Sequence, residues 1–245
     1  MAKVSSIAGL SSLRSLGAAV SIAGLVIGGE YLFRHYVLFW FPIFGTLSVN
    51  DMLSLYLVYS LLTIGVGVPV HTNWRQELAG VGQALRDGLT SWGFTIWFLA
   101  LVLSIVALPA ADRFLLENIK LTMVVSSYRN PTVWFASLAP ILEALSLVLV
   151  NGLFVPVAEE YLWRGLVQVR LVQVFPTAFA IGQTAVLFSL KHAFVDASMG
   201  RFLTLIAFGV ICGIVAQRSS WRRSAALHIA INTVSTVAGL IYGLG

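Results

Sequence analysis

The chain has 245 residues, 58% of them hydrophobic and only 10% charged, with a formal net charge of +5 and a mean hydropathy of +0.90. A soluble domain is about a quarter charged, so this composition excludes an ordinary water-soluble fold and argues for an integral membrane protein. The positive balance does not point to nucleic acid, because Lys and Arg stand singly or in short loops, and the one cysteine, Cys212, lies in an apolar run where it offers neither an intrachain disulfide nor a zinc ligand set.

Apolar runs of about 17 to 25 residues are long enough to cross the hydrocarbon core as helices. The candidates in chain order are 15–33, 52–70, 91–110, 132–150, 150–173, 176–196, 201–217 and 225–244. They predict an all-α, polytopic membrane protein with six to eight transmembrane helices. The first run follows Lys3 and Arg14, with no acid before Glu30, and continues past any small-residue cleavage site. It therefore reads as an uncleaved span rather than a signal or transit peptide. Glu30 and Arg34, four residues apart, are expected to pair near the headgroups. The polar stretch 71–88 reads as a short amphipathic helix at the interface, and His35 and His71 fall at span ends. The runs 132–150 and 150–173 are joined only by Asn151 and Gly152.

No long linker or repeat divides the chain, so it reads as one membrane domain with two regions. Residues 1–130 hold N-terminal spans and interfacial loops, and 131–245 form a core in which polar groups enter the apolar runs. Ionisable groups at membrane depth cost a few kcal/mol each and usually line a functional, watered cavity. Function is therefore expected in the second region.

Three polar clusters stand out there. In "EEYLWR", Glu160 and Arg164 are four residues apart and share a helical face, while Glu159 is rotated by about 100°. Arg164 can thus neutralise Glu160 and leave Glu159 as a general base. In "FSLKH", Phe188 and His192 share a face, and His192 can act as a base, hold water or ligate a metal. Lys191 and Asp196 are expected at the membrane edge, Lys191 snorkelling to the headgroups. In "HIAIN", His228 and Asn232 share a face of the last span and can donate hydrogen bonds to an oxyanion. A carboxylate, two imidazoles and an amide around one water are hydrolytic equipment, with or without a metal.

These three motifs resemble, in order, the EExxxR, FxxxH and HxxxN motifs of the CAAX-prenyl protease and bacteriocin-processing (CPBP, or Abi) family of intramembrane proteases. The similar region covers about 131–244. The resemblance implies a helical membrane fold with a conical, water-filled catalytic cavity that opens toward the cytoplasm. It also implies hydrolysis of a peptide bond by glutamate-activated water. On that basis Glu159 is the catalytic base, His192 holds the water, and His228 and Asn232 bind the oxyanion. Glu160, Arg164 and Phe188 support them.

No cofactor is expected. Zinc is the alternative, through Glu159, His192 and His228, although the two histidines fall on different helices rather than in the H-E-x-x-H arrangement. A catalytically silent membrane regulator or immunity protein that binds a membrane partner is the other reading, but it would need none of the three motifs. A proton-coupled transporter would show two similar halves, which the sequence lacks. The expected partners are membrane lipid and a peptide or lipidated-protein substrate, in the cell membrane of a prokaryote. Arg218, Arg222 and Arg223 are placed in the cytoplasm by the positive-inside bias, and Lys3 and Arg14 likewise. Both placements require an even number of spans before residue 218, so 132–173 is expected to supply one crossing fewer than its two apolar pieces imply.

Overall fold

A computed structural model of the chain describes residues 2–37, 47–67, 72–116, 119 and 139–242. Among them are eight helices and no strand. They are α1 (Ala2–Leu32, extended by a π-helical turn, Phe33–Val37), α2 (Leu47–Gly67), α3 (Trp74–Leu89), α4 (Trp92–Leu116), α5 (residues 139–172), α6 (Thr177–Val195), α7 (Phe202–Arg218) and α8 (Trp221–Tyr242). The segments Ser11–Tyr36, Trp92–Leu116, Glu143–Val172, Thr177–Val195 and Trp221–Tyr242 are long and apolar enough to cross a membrane, and Met52–Gly67 and Phe202–Arg218 are shorter apolar helices. The chain is a polytopic all-α membrane protein. His71, residues 132–138 and the expected boundary between residues 130 and 131 lie outside the described residues.

The separate candidates 132–150 and 150–173 are corrected to a single helix. Through the expected break, α5 continues as a π-helical segment, Leu147–Phe154. A π turn loosens the backbone ladder and leaves carbonyls free for outside partners. Here Asn151 O accepts from Asn232 Nδ2 at 3.0 Å and Gly152 O from Thr233 Oγ1 at 3.3 Å. A Cβ at residue 152 would lie 3.2 Å from Thr233 Oγ1, so glycine lets α8 approach here. With the pieces merged, six apolar helices precede Ser219 among the described residues, four of them long enough to cross a membrane.

The stretch 71–88 is helical as expected. Asn73 caps α3, its side chain accepting from Gln76 N. The helix is tied to α8 by a bidentate pair, Arg222 Nε and an Nη to the two Glu77 oxygens at 2.8 and 2.9 Å. At the other end of the bundle, the buried carboxylate of Asp112 on α4 caps α7. It accepts from Leu203 N at 2.7 Å, Thr204 N at 2.9 Å and Thr204 Oγ1 at 2.5 Å.

Glycines set the packing between α6, α7 and α5. A Cβ on Gly209 would fall 2.9 Å from Ala185 Cα, so α6 and α7 nearly touch backbone to backbone. That contact leaves the carbonyls of Gly209 and Gly213 reachable from α5, where Arg164 and Gln168 donate to them at 3.3 and 3.0 Å. The same helical spacing on both partners makes this a two-rung ladder, and it fixes the α5 face that carries the acidic pair.

Candidate active site

Glu159 and Glu160 sit at the end of a short α-helical stretch of α5, Val155–Glu160, flanked by π-helical turns on both sides. Both are buried. Helical rotation separates them as expected. Glu160 pairs with Arg164 at 3.0 Å, accepts from Ser224 Oγ at 2.7 Å and lies 3.0 Å from His228 Nδ1. An ionised carboxylate accepts only, so Nδ1 carries the hydrogen in that contact and Nε2 faces the cavity. Arg164 also lies over the Phe188 ring, 4.7 Å from its centroid. Phe188 is the platform beneath the site, edge-on to His192 with centroids 5.0 Å apart and stacked on Phe208 at 5.9 Å.

Around Glu159 the structure differs from the sequence expectation of a carboxylate without a partner. Its Oε1 accepts from Lys191 Nζ at 2.6 Å and from Tyr59 Oη at 2.7 Å. Lys191 does not snorkel to the headgroups; it is wholly buried. Three positions after Phe188 on α6, it follows the inward face of that helix. Its ammonium is shared with Glu30, 3.2 Å away, and Tyr59 Oη also lies 2.7 Å from Glu30. Glu30 pairs with Arg34 as expected, at 3.7 Å. It is buried, as the next inward position on α1 after Ala19, Ala23 and Val26.

The two histidines bracket the same carboxylate. His192 Nε2 is 3.8 Å from Glu159 Oε1, and His228 Nε2 is 3.9 Å from Oε2. Both separations are too long for a direct hydrogen bond and short enough for a bridging water. On its other edge, His192 Nδ1 faces Asp196 Oδ2 at 3.8 Å. Asn232 spends one amide hydrogen on Asn151 O and keeps the second. Glu159, His192, His228 and Asn232 all line one cavity of about 410 Å³, together with Lys191 and Glu30.

At the cavity mouth, Asp196 pairs with Arg201 and, at 3.5 Å, with Arg34. Burial pushes the Asp196 carboxyl up. The neighbouring His192, with the charges of Arg201 and Arg34, outweighs that and holds it well below the usual carboxylate range.

Among the described residues, no three His, Cys, Asp or Glu side chains are grouped so as to hold a metal ion. Glu159, His192 and His228 do meet around one space. Yet an ammonium already sits 2.6 Å from Glu159 Oε1, and a dication placed there would face a fixed positive charge.

Two expectations about orientation are incompatible. The cavity mouth lies at the C-terminal ends of α1 and α6 and the N-terminal end of α7, whereas Arg218, Arg222 and Arg223 lie at the far end of α7. With α7 crossing the membrane, a cytoplasmic arginine cluster and a cavity opening into the cytoplasm exclude one another.

Residues 141–234 match the family model described as type II CAAX prenyl endopeptidase Rce1-like. The matched segment is a little over a third of the chain and contains all three motifs, so the resemblance to CAAX-type intramembrane proteases is borne out over that segment. No curated protein and no solved structure matches the chain.

Proposed function

We propose that this chain, an integral membrane protein with an Rce1-like segment, is an intramembrane endopeptidase that cleaves a peptide bond by glutamate-activated water. The observation that carries the reading is the meeting of the Glu159 carboxylate with two imidazoles in one buried cavity. Lys191 and Tyr59 hold Oε1, so Oε2 is the oxygen free to take a proton. His192, across the carboxylate, binds the same water. His228 is fixed by Glu160 with Nε2 toward the cavity. The second amide hydrogen of Asn232, with the His228 ring beside it, stabilises the developing oxyanion.

Water adds to the carbonyl carbon as Glu159 accepts its proton, and the carbonyl electron pair moves to oxygen. Collapse of this intermediate breaks the C–N bond, and the proton on Glu159 passes to the leaving nitrogen. The products are a carboxylic acid and an amine. The positive charge that a metal would bring beside the carboxylate is supplied by Lys191, so the reaction is proposed to run without a metal. The site is proposed to work in the cell membrane of a prokaryote, on a peptide or lipidated protein held at the lipid surface.

The test compares membrane proteins of cells carrying the wild-type chain, Glu159→Gln or His192→Ala at equal membrane abundance. New peptide termini are mapped by mass spectrometry. Wild type is expected to generate termini that both variants reduce by about a hundredfold or more, the usual weight of a general base, and strong chelation is expected to leave the yield unchanged. Termini produced equally by all three chains would refute the peptidase reading. Loss on chelation that zinc restores would instead assign a metal to Glu159, His192 and His228.

A further inference from the structure

The turn from α7 to α8 runs Arg218-Ser219-Ser220-Trp221-Arg222-Arg223, three arginines without one acid. Arg222 is engaged by Glu77 of α3. Arg218 and Arg223 are not so engaged: among the described residues, neither guanidinium has a carboxylate within 4.0 Å. Both side chains are exposed. Arg218 lies against the Trp97 ring, 5.7 Å from its centroid, which holds it beside α4.

These two arginines border a hollow of about 150 Å³ between the start of α4, the end of α7 and the start of α8, with Ser91, Gly93 and Ser219 also on its wall. Gly88 and Phe94 line this hollow and also an apolar groove of about 460 Å³, so the two spaces adjoin. The groove follows α8 from Ile229 to Val234, past Thr95 and Phe98 of α4 and Leu85 of α3. Glycine is needed at the junction, because a Cβ on Gly88 would fall 2.7 Å from Phe94 Cδ2 and push that ring aside. A cationic hollow at a helix end therefore leads into an apolar groove alongside a membrane span.

We propose that the hollow and groove together bind one anionic phospholipid, with its phosphate between Arg218 and Arg223 and an acyl chain in the groove. Two guanidinium groups without a carboxylate favour a headgroup of net negative charge over a zwitterionic one, whose ammonium they repel. The groove selects a lipid over a free phosphate, which would leave its aliphatic wall uncovered. The bound lipid ties α4 to the α7–α8 turn, and α8 carries His228 and Asn232. The site shares no lining residue with the cavity around Glu159, and binding there does not depend on the peptidase reading.

The test titrates the purified full-length chain, in a neutral detergent, with phosphatidylglycerol or with phosphatidylcholine of the same acyl chains, and counts bound lipid by native mass spectrometry. Wild type is expected to hold one phosphatidylglycerol more tightly than phosphatidylcholine. Arg218→Gln combined with Arg223→Gln should weaken that binding about thirtyfold, about fivefold for each cation lost. Arg14→Gln combined with Arg75→Gln removes two exposed cations that do not border the hollow and should leave it unchanged. Thr95→Trp, at an exposed position on the groove, should weaken lipid binding with both arginines in place. Inorganic phosphate at constant ionic strength should not displace the lipid. Equal binding of the two lipids by wild type, equal losses in the two arginine pairs, full binding by Thr95→Trp, or displacement by phosphate would overturn the proposal. The comparison of the two lipids on wild type needs no variant, so it decides the matter even where a substitution prevents folding.

Discussion

Tyr59 has one hydroxyl proton and two carboxylates 2.7 Å from its oxygen, Glu30 and Glu159. It can donate to only one at a time, and Lys191 supplies the remaining hydrogen bonds, reaching Glu159, Glu30 and the Tyr59 oxygen itself at 3.1 Å. Tyr59→Phe removes the phenol from this cluster while keeping ring volume. It is expected to lower turnover about tenfold, the weight of one hydrogen bond to a charged group, with membrane abundance unchanged in a quantitative blot. Asp196 gives a pH signature. Its carboxyl is held below the ordinary range in the folded protein, so its stabilising contribution is complete above about pH 4 and fades as pH falls further. Asp196→Asn should melt at a lower temperature than wild type at neutral pH, and thermal unfolding in detergent should show the gap closing below about pH 4. Glu159, Glu160, Arg164, His192 and His228 were legible in the sequence because each motif spaces its polar groups at helical intervals. The burial of Lys191 and Glu30 inside the bundle was missed because a charge near a span end was taken for a group reaching out of it. Continuing the inward stripes Ala19–Ala23–Val26–Glu30 and Phe188–Lys191 would have put both inside.

The helices owe their mutual placement to a few polar ties that composition hides. Asp112 receives three hydrogen bonds from the first turn of α7 and so fixes the entry of the helix that separates the two ends of the bundle. Asp112→Ala would leave those donors unmet in a buried place. It is expected to cost about 1–3 kcal/mol of stability, visible as a lower unfolding temperature of the purified protein. Helix existence was readable from apolar run length, and α3 from its amphipathic spacing and Asn73 cap. The continuity of α5 was not, since Asn-Gly usually marks a turn. Here α8 overrides that tendency by donating Asn232 and Thr233 to the carbonyls that the π segment releases. Asp112 gave no motif at all, because its partners lie about ninety residues away in the chain.

Across the whole molecule, the carboxylate proposed to activate water draws on more than the Rce1-like segment. Glu159, His192 and His228 fall within 141–234, but Tyr59 and Glu30 come from α2 and α1, so the first two helices complete the site. The sequence division at residue 130 separates the three motifs from these contributors and could not reveal that dependence, because nothing local marks Tyr59. The charge pattern set an expectation of an even number of crossings before residue 218. Which end of the bundle holds the cavity mouth needed the pairing of helix ends, which only the folded chain supplies. The central claim is hydrolysis by water activated at Glu159, and it is tested most directly in H₂¹⁸O. Purified wild-type protein and Glu159→Gln, reconstituted in lipid vesicles with a detergent extract of the host's membrane proteins, are followed by mass spectrometry. Wild type should generate new C-terminal carboxylates carrying one ¹⁸O atom, and Glu159→Gln should generate almost none. The same labelled termini appearing at an equal rate with Glu159→Gln would contradict the role assigned to this carboxylate.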